Sequence, residues 1–198
     1  LVTDSIKYGV KEYIKEKNYG TFTDPRDGQT YKTVKIGNQV WMAENLKYKI
    51  GDSYCYDDNP ANCEKYGRLY TWDAAFEACL PGWHLLNVEE LYTLIAEGGF
   101  ATAGKMLKSR TGWEEYEGKS GNGIDAFGFN VLPAGLRRFD NGNFINAGES
   151  GGFWSDTEET GYDDAYNAYA ILFGHNDDDF GLSLGSTGNA ISVRCIRD

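Results

Sequence analysis

Hydrophobic and polar residues alternate along residues 31–36 (YKTVKI) and again along residues 39–42 (QVWM). A period of two is typical of β-strands, and the intervening Gly37-Asn38 pair suits a two-residue turn, so this stretch predicts a β-hairpin. Ahead of it, Ile6, Val10 and Ile14 recur at a spacing of four residues. That spacing predicts a short amphipathic helix within residues 1–18.

Helical periodicity returns between residues 69 and 108. Leu69, Trp72 and Cys79 fall on one face of a helix over residues 69–79. Asn87 and Glu90 form the Asn-x-x-Glu variant of a capping box, which predicts the start of a second helix. The buried face of that helix is expected to consist of Leu91, Leu94 and Ile95, with Gly98-Gly99 at its end. A third, shorter helix is predicted around residues 101–108.

The second half of the chain lacks helical periodicity and consists of short β-like runs between loops rich in Gly, Asn and Asp. The runs cover residues 127–132, 135–139, 152–155, 166–173, 181–184 and 190–196. Helices in the first half followed by strands and loops indicate the α+β class. Residues 1–20 are interpreted as an N-terminal helix or linker, and residues 21–198 as one domain of a larger protein, expected to be monomeric.

Composition excludes some partners. The chain has 30 acidic and 19 basic residues and a net charge of −11, whereas binding to nucleic-acid phosphates needs a basic surface. Aromatic residues make up 15% of the chain, with 25 Gly and only 4 Pro, which suits a loop-rich domain with an aromatic core. The sequence contains no run of 18 apolar residues, so no membrane span is expected.

Four cysteines permit three pairings. Cys55 and Cys63 flank a turn-forming stretch, which favours a bond between them and leaves Cys79 to pair with Cys195. Structural zinc sites draw their ligands in closer pairs than C-x7-C, so zinc is the weaker interpretation. No Cys lies beside a basic segment that would activate a catalytic thiol. Two disulfides predict an oxidising compartment, and therefore a secreted or cell-surface protein.

Several separated motifs carry a resemblance to a known family. They are YKTVKIGNQVWMAENL (residues 31–46), CY (55–56), YGRLY (66–70), CLPGWH (79–84), FNVLPAG (129–135), FWSD (153–156) and SVRC (192–195). Together they resemble the Fibrobacter succinogenes major paralogous domain over residues 22–198. That family occurs in secreted and surface proteins of gut and rumen bacteria.

The resemblance implies a particular architecture. The family is similar to C-type lectin-like domains and, more distantly, to the formylglycine-generating sulfatase-modifying fold. It implies two main helices, short antiparallel strands, a long loop-rich second half, and a disulfide from the first helix to the last strand. The pairing of Cys79 with Cys195 fits that plan.

Exposed loops on a rigid scaffold commonly carry recognition, so ligand contacts are expected there. The residues predicted to make them are Trp113, Phe139, Tyr162, Asp163, His175, Asp177, Asp178 and Asp179. The other tryptophans, Trp41, Trp72, Trp83 and Trp154, are expected to fill the core. No cofactor is expected. The clustered Asp residues leave calcium as an alternative, although they lack Asp-x-Asp-x-Asp-Gly spacing and the lectin sugar-binding triplets.

These observations favour a binding function. The expected ligand is a glycan or a surface protein, as in adhesion. The alternatives are a structural spacer or display module and, more remotely, a hydrolase or modifying enzyme. Only His84 and His175 could serve as a base near neutral pH, and no P-loop, Gly-x-Ser-x-Gly or His-Glu-x-x-His motif is present, so catalysis is not expected.

Overall fold

The structure is a computed structural model that describes residues 17–98, 102–159 and 167–198. Some predictions fall outside these ranges, namely the helix built on Ile6, Val10 and Ile14 and the two site residues Tyr162 and Asp163. Within the described ranges no helix is long and apolar enough to cross a membrane.

Helices and short strands alternate in the first half, and strands dominate the second half. The helices are α1 (Pro60–Tyr66), α2 (Trp72–Ala78), α3 (Val88–Gly98) and α4 (Ala103–Leu107), with a 3-10 turn over Tyr56–Asp58. The strands are β1 (Asn18–Thr23), β2 (Thr30–Ile36), β3 (Gln39–Met42), β4 (Ser53–Tyr54), β5 (Leu69–Tyr70), β6 (Trp83–Leu85), β7 (Glu115–Tyr116), β8 (Lys119–Ser120), β9 (Ala134–Arg137), β10 (Phe144–Ala147), β11 (Ser150–Glu159), β12 (Asn167–Gly174), β13 (Gly181–Ser186), β14 (Ile191–Ser192) and β15 (Cys195–Arg197). The α+β class is confirmed.

The first sheet has the strand order β1-β2-β3-β15-β6. The predicted hairpin is confirmed: Ile36 pairs with Gln39 across the turn, where Gly37 has a φ of 60°. The last strand of the chain, β15, lies between β3 and β6, with Ile196 opposite both Trp41 and His84. Both ends of the described chain therefore belong to one sheet. The predicted domain boundary at residue 21 falls inside β1.

The second sheet has the order β13-β12-β11-β14-β5-β4. Its long antiparallel pair β11–β12 places Phe153 opposite Ile171, and Phe153 also pairs with Ser192 of β14 in parallel. Two separate hairpins, β7–β8 and β9–β10, carry loops of the second half. Residues 127–132, predicted as a strand, are instead largely irregular, because Gly128 and Asn130 take positive φ angles that a regular strand does not allow.

Local signals set most helix boundaries. The predicted capping box is confirmed, because Glu90 N donates to Asn87 Oδ1 at 2.8 Å while Asn87 N donates to Glu90 Oε2 at 3.0 Å. The helix predicted from residue 69 begins only at Trp72, because Leu69 and Tyr70 pair with the neighbouring strands β4 and β14. Helix α1 was not predicted, although Asn59 caps it and Pro60 is its first residue.

Both predicted disulfides are present. Cys55 bonds to Cys63, and Cys79 at the end of α2 bonds to Cys195 in β15, closing a separation of 116 residues. The core packs around this second bond: Cys195 and Trp154 are both buried in the same hydrophobic cluster. Trp41 is buried in the neighbouring cluster, whereas Trp72 and Trp83 are partly buried against the core.

Candidate functional site

A buried arginine organises one side of the molecule. Arg194 is fully buried, and its Nε donates to Asn45 Oδ1 at 2.9 Å. Its terminal nitrogens donate to the carbonyl oxygens of Met42, Phe129 and Asn130. Burial lowers the pKa of Arg194 to about 9, but this value is still high enough for the guanidinium to be charged near neutral pH. One side chain therefore fixes the backbone after β3 against the loop before β9.

That loop contains unusual backbone angles. Asp125 has a φ of 43° and Asn130 a φ of 57°, a region that non-glycine residues rarely occupy. Asp125 Oδ1 accepts a hydrogen bond from Asn130 N at 2.9 Å, and its Oδ2 forms a 2.8 Å ion pair with Lys17. Strained residues of this kind persist only where surrounding contacts impose them, and they cluster at functional sites.

Beside this loop lies a cavity of about 680 Å³, which we call the Tyr19 cavity. Its lining residues are Tyr19, Gly20, Thr21, Lys32, Ala43, Glu44, Asp125, Gly128 and Asn130. Tyr19 is 50% exposed, and its ring lies so close to Gly128 that a Cβ there would be 2.5 Å from Tyr19 Oη. Gly128 also has a φ of 81°, a backbone conformation that favours glycine at this position.

The Tyr19 cavity offers both hydrogen-bond donors and acceptors. Lys32 contributes an ammonium group, Glu44 and Asp125 contribute carboxylates, and Asn130 contributes an amide. Glu44 Oε2 accepts a hydrogen bond from Lys32 N at 2.6 Å, which holds that carboxylate against β2. Glu44 and Asn130 also line a neighbouring cavity of about 240 Å³ beside Tyr66, so the two spaces meet along these two residues.

Some of the predicted site residues meet elsewhere. His175, Asp177 and Asp178 line a smaller cavity of about 290 Å³, which we call the His175 cavity. Its other lining residues are Lys105, Tyr116, Glu117, Lys119, Ser120 and Asn176. The rings of Tyr116 and His175 lie 5.3 Å apart. Nδ1 of His175 is buried and has no hydrogen-bond partner within the described ranges.

Trp113 does not occupy the exposed position that was expected. Only 5% of it is exposed, and its indole nitrogen donates to Ser109 Oγ at 3.0 Å and to Val131 O at 3.2 Å. The polar sequence around Trp113 suggested a surface loop, but the ring packs into the core. The prediction that Trp113 is exposed for ligand contact is therefore wrong, because its ring forms part of the hydrophobic core.

Lys108 links Trp113 to the His175 loop. Its ammonium group lies 5.0 Å from the centre of the Trp113 ring and donates to the carbonyl oxygens of Gly174 (2.8 Å) and Asp177 (2.7 Å). Burial lowers the pKa of Lys108. The ammonium therefore ties down both ends of the segment that carries His175. The sequence around Lys108 gave no sign of this burial.

The remaining predicted residues, Phe139 and Asp179, line neither of the two cavities. Phe139 is 60% exposed near the turn between β9 and β10 and is not among the residues that line the His175 cavity. Asp177 Oδ1 accepts from Asp179 N, and Asp179 Oδ1 accepts from Phe180 N. In the described part of the chain, no three His, Cys, Asp or Glu side chains are grouped so that they could hold a metal ion.

The other histidine joins β6 to α3 and to the last residue. His84 Nδ1 lies 2.6 Å from Asp198 Oδ1, and His84 Nε2 lies 2.8 Å from Glu90 Oε1. Burial opposes protonation of His84, but the hydrogen bonds to the two carboxylates outweigh it and raise its pKa. His84 is thus held between two carboxylates and connects β6 to α3 and to Asp198.

We expect the stabilisation from His84 to depend on pH. Because its pKa is raised above the ordinary 6.5 in the folded state, the stabilisation is complete below pH 6.5 and disappears as pH rises through the raised pKa. His84→Gln keeps hydrogen-bonding groups but cannot take up a proton. Urea unfolding of wild type and His84→Gln from below pH 6.5 to above the raised pKa measures the effect. The difference between their unfolding free energies should shrink as pH rises. A difference that does not change with pH would contradict the stabilising role of protonated His84.

Comparison with known families identifies the family to which the chain belongs. The model of the Fibrobacter succinogenes major domain matches residues 34–197, so the chain belongs to this family. No curated protein matches the chain, and no solved structure matches it. The matched region includes Glu44, Asp125, Asn130 and Arg194, whereas Tyr19 lies before it.

The residues of the Tyr19 cavity were not identified from the sequence as a site. Tyr19 was placed in the N-terminal linker, and Asn130 was placed in a predicted strand. One signal was present: Arg194 lies within an apolar run that ends the chain, and a charged residue in such a run needs buried partners. Those partners are the loop carbonyl groups that shape the cavity.

Proposed function

We propose that this domain is an extracellular binding module that recognises a glycan at the Tyr19 cavity. The observation that carries the proposal is the half-exposed Tyr19 ring beside a rigid wall that has both hydrogen-bond donors and acceptors. The cavity volume of about 680 Å³ falls in the range of small-ligand sites. Arg194 and the strained loop hold this wall in place without a ligand, which reduces the entropy lost on binding.

The charges of the cavity favour a hydroxyl-rich ligand of little net charge. The Asp125 carboxylate is already paired with Lys17, and Glu44 lies near the ammonium-bearing Lys32. An anionic ligand would meet the carboxylates of Glu44 and Asp125, and a cationic ligand would meet Lys32. Sugar hydroxyls donate and accept, so they match this mixed lining, and the apolar face of a pyranose ring can stack on Tyr19.

Binding is favoured over catalysis by the hydrogen bonds of the two carboxylates. Glu44 accepts from Lys32 N, and Asp125 accepts from Asn130 N and pairs with Lys17. Each carboxylate therefore holds protein groups in place. A general acid needs a carboxyl group that faces the substrate and gives up a proton, and a nucleophile needs an ionised carboxylate that faces the substrate.

The expected C-type lectin-like arrangement is part of this proposal. It is supported by the presence of β1 and β15 in the same sheet, by the Cys79–Cys195 bond from helix α2 to β15, and by the loop-rich second half. The extracellular location is supported by the two disulfides, since such bonds persist in oxidising environments.

A glycan array tests the proposal with a matched pair of variants. Tyr19→Ala removes the exposed ring of the Tyr19 cavity, and Tyr116→Ala removes a ring of similar exposure (44%) from the His175 cavity. We expect wild type and Tyr116→Ala to bind the same glycans, and Tyr19→Ala to bind them about tenfold more weakly, since an aromatic stacking contact contributes about 1.5 kcal/mol. Circular dichroism of both variants serves as the control that each of them is folded.

The other outcomes separate the alternatives. Loss of binding only in Tyr116→Ala would contradict the Tyr19 cavity as the binding site and would indicate the His175 cavity instead. Signals that require calcium would support the calcium alternative, which the proposal at the Tyr19 cavity does not need. No signal for wild type on an array of bacterial, plant and host glycans, and no partner in a pull-down, would favour the spacer.

A further inference from the structure

The short disulfide lies in the wall of a cavity. Cys55 and Cys63 both line a space of about 560 Å³, and Cys55 is the more exposed of the two. The charged residues around this space are Asp27, Lys47, Lys49, Asp58, Glu64 and Arg68. Both cysteines of the short disulfide therefore border a space in which a small molecule fits.

One of these charged residues touches both sulfurs. Arg68 Nη1 lies 3.5 Å from Cys55 Sγ and 3.4 Å from Cys63 Sγ. The guanidinium is held in this position by Ser53, because Arg68 Nε donates to Ser53 Oγ and Arg68 Nη2 donates to Ser53 O. A fixed positive charge at this distance stabilises a thiolate, which lowers the pKa of the thiol and makes it a better leaving group.

We propose that Cys55–Cys63 is a thiol–disulfide exchange site for small-molecule thiols. The thiolate of an incoming thiol attacks Cys55 Sγ and forms a mixed disulfide. The Cys55–Cys63 bond breaks, and its electron pair passes to Cys63 Sγ, which leaves as a thiolate beside Arg68. A second thiolate attacks the mixed disulfide at the sulfur of the first thiol and releases the Cys55 thiolate. Two thiols are oxidised to one disulfide, and the protein pair gains two electrons.

The second disulfide of the chain differs in access. Cys195 is fully buried in the core, and Cys79–Cys195 connects α2 to β15. Opening Cys55–Cys63 releases a link that spans a sequence separation of only 8, and helix α1 keeps its Asn59 cap and its buried Tyr66. The fold therefore retains its main covalent link while the short bond opens and closes.

Native-state reduction measures this selectivity. The folded protein is treated with dithiothreitol or glutathione, quenched at intervals, alkylated and mapped by mass spectrometry. We expect Cys55–Cys63 to open at least about tenfold faster than Cys79–Cys195, and Arg68→Gln to slow its opening by about tenfold. Arg68→Lys keeps a positive charge and should lie between these rates. Equal rates for the two disulfides, or an unchanged rate in Arg68→Gln, would overturn the proposal.

Two controls keep the result interpretable. In denaturant the wild type and Arg68→Gln should reduce at the same rate, because the contact with Arg68 is lost. If Arg68→Gln does not fold, the pH dependence of iodoacetamide alkylation is measured on wild type with Cys55–Cys63 reduced. A Cys63 midpoint below the ordinary value of about 8.5 supports the role of Arg68, and a midpoint at or above it contradicts the proposal. Neither result depends on glycan binding.

Discussion

Replacing Cys79 and Cys195 together by serine should lower the free energy of unfolding by up to about 5 kcal/mol. The bond closes a loop of 116 residues, so its loss restores much conformational entropy to the unfolded chain. The loss also leaves two serine hydroxyls near a core in which Cys195 is completely buried. Urea unfolding followed by tryptophan fluorescence measures the change.

The other disulfide provides the control. Serine at both Cys55 and Cys63 should cost only about 2.5 kcal/mol, because that loop has a separation of 8 residues. Each double variant also avoids a free thiol that could form a wrong bond. If the two double variants lose equal stability, then Cys79–Cys195 is not the dominant covalent constraint on the fold.

Replacing Arg194 by methionine should lower the free energy of unfolding by about 3–5 kcal/mol, because several buried neutral acceptors lose their donor at once. Methionine has a similar apolar volume but no donor. The Asn45 side chain and the carbonyl oxygens of Phe129 and Asn130 would lose a donor in the interior. Each unsatisfied group carries a desolvation cost of about 1–3 kcal/mol.

Arg138 is the matched surface control. It forms an exposed ion pair with Asp140 at 2.7 Å, so Arg138→Met should change stability far less than Arg194→Met does. Hydrogen exchange adds a local measurement: the Asn130 amide, which donates to Asp125, should lose protection in Arg194→Met. An Arg194→Met protein as stable as Arg138→Met would contradict the role assigned to this guanidinium.

Features set by neighbouring residues could be predicted from the sequence. The β2–β3 hairpin follows from alternation and a two-residue turn, and the start of α3 follows from the Asn87–Glu90 capping box. The short disulfide could be predicted because the intervening turn residues bring Cys55 and Cys63 together. These interactions span only a few positions, so tertiary contacts do not override them.

Features that depend on distant partners could not be predicted. Leu69 and Tyr70 have helical spacing with Trp72, but they pair with strands β4 and β14 and therefore lie in a sheet. Trp113 lies in a polar stretch, and its burial depends on Ser109 and Val131.

Most of the candidate site could not be predicted either, because its residues are distant from one another in the sequence. The Tyr19 cavity joins β1 to a loop more than a hundred residues later, and Arg194 supplies the bonds that hold that loop. From the sequence alone, the ligand-contact residues were placed in the loops of the second half. The structure brings His175, Asp177 and Asp178 to one cavity, but it leaves Phe139 away from it.

The most direct test of the proposed binding site is an NMR titration of the folded domain with a glycan that binds on the array. Binding at the Tyr19 cavity predicts concentration-dependent shifts of the backbone amides of Tyr19, Gly128 and Asn130, with His175 and Asn176 unchanged. Shifts confined to His175 and its neighbours, or spread evenly over the surface, would contradict the proposal.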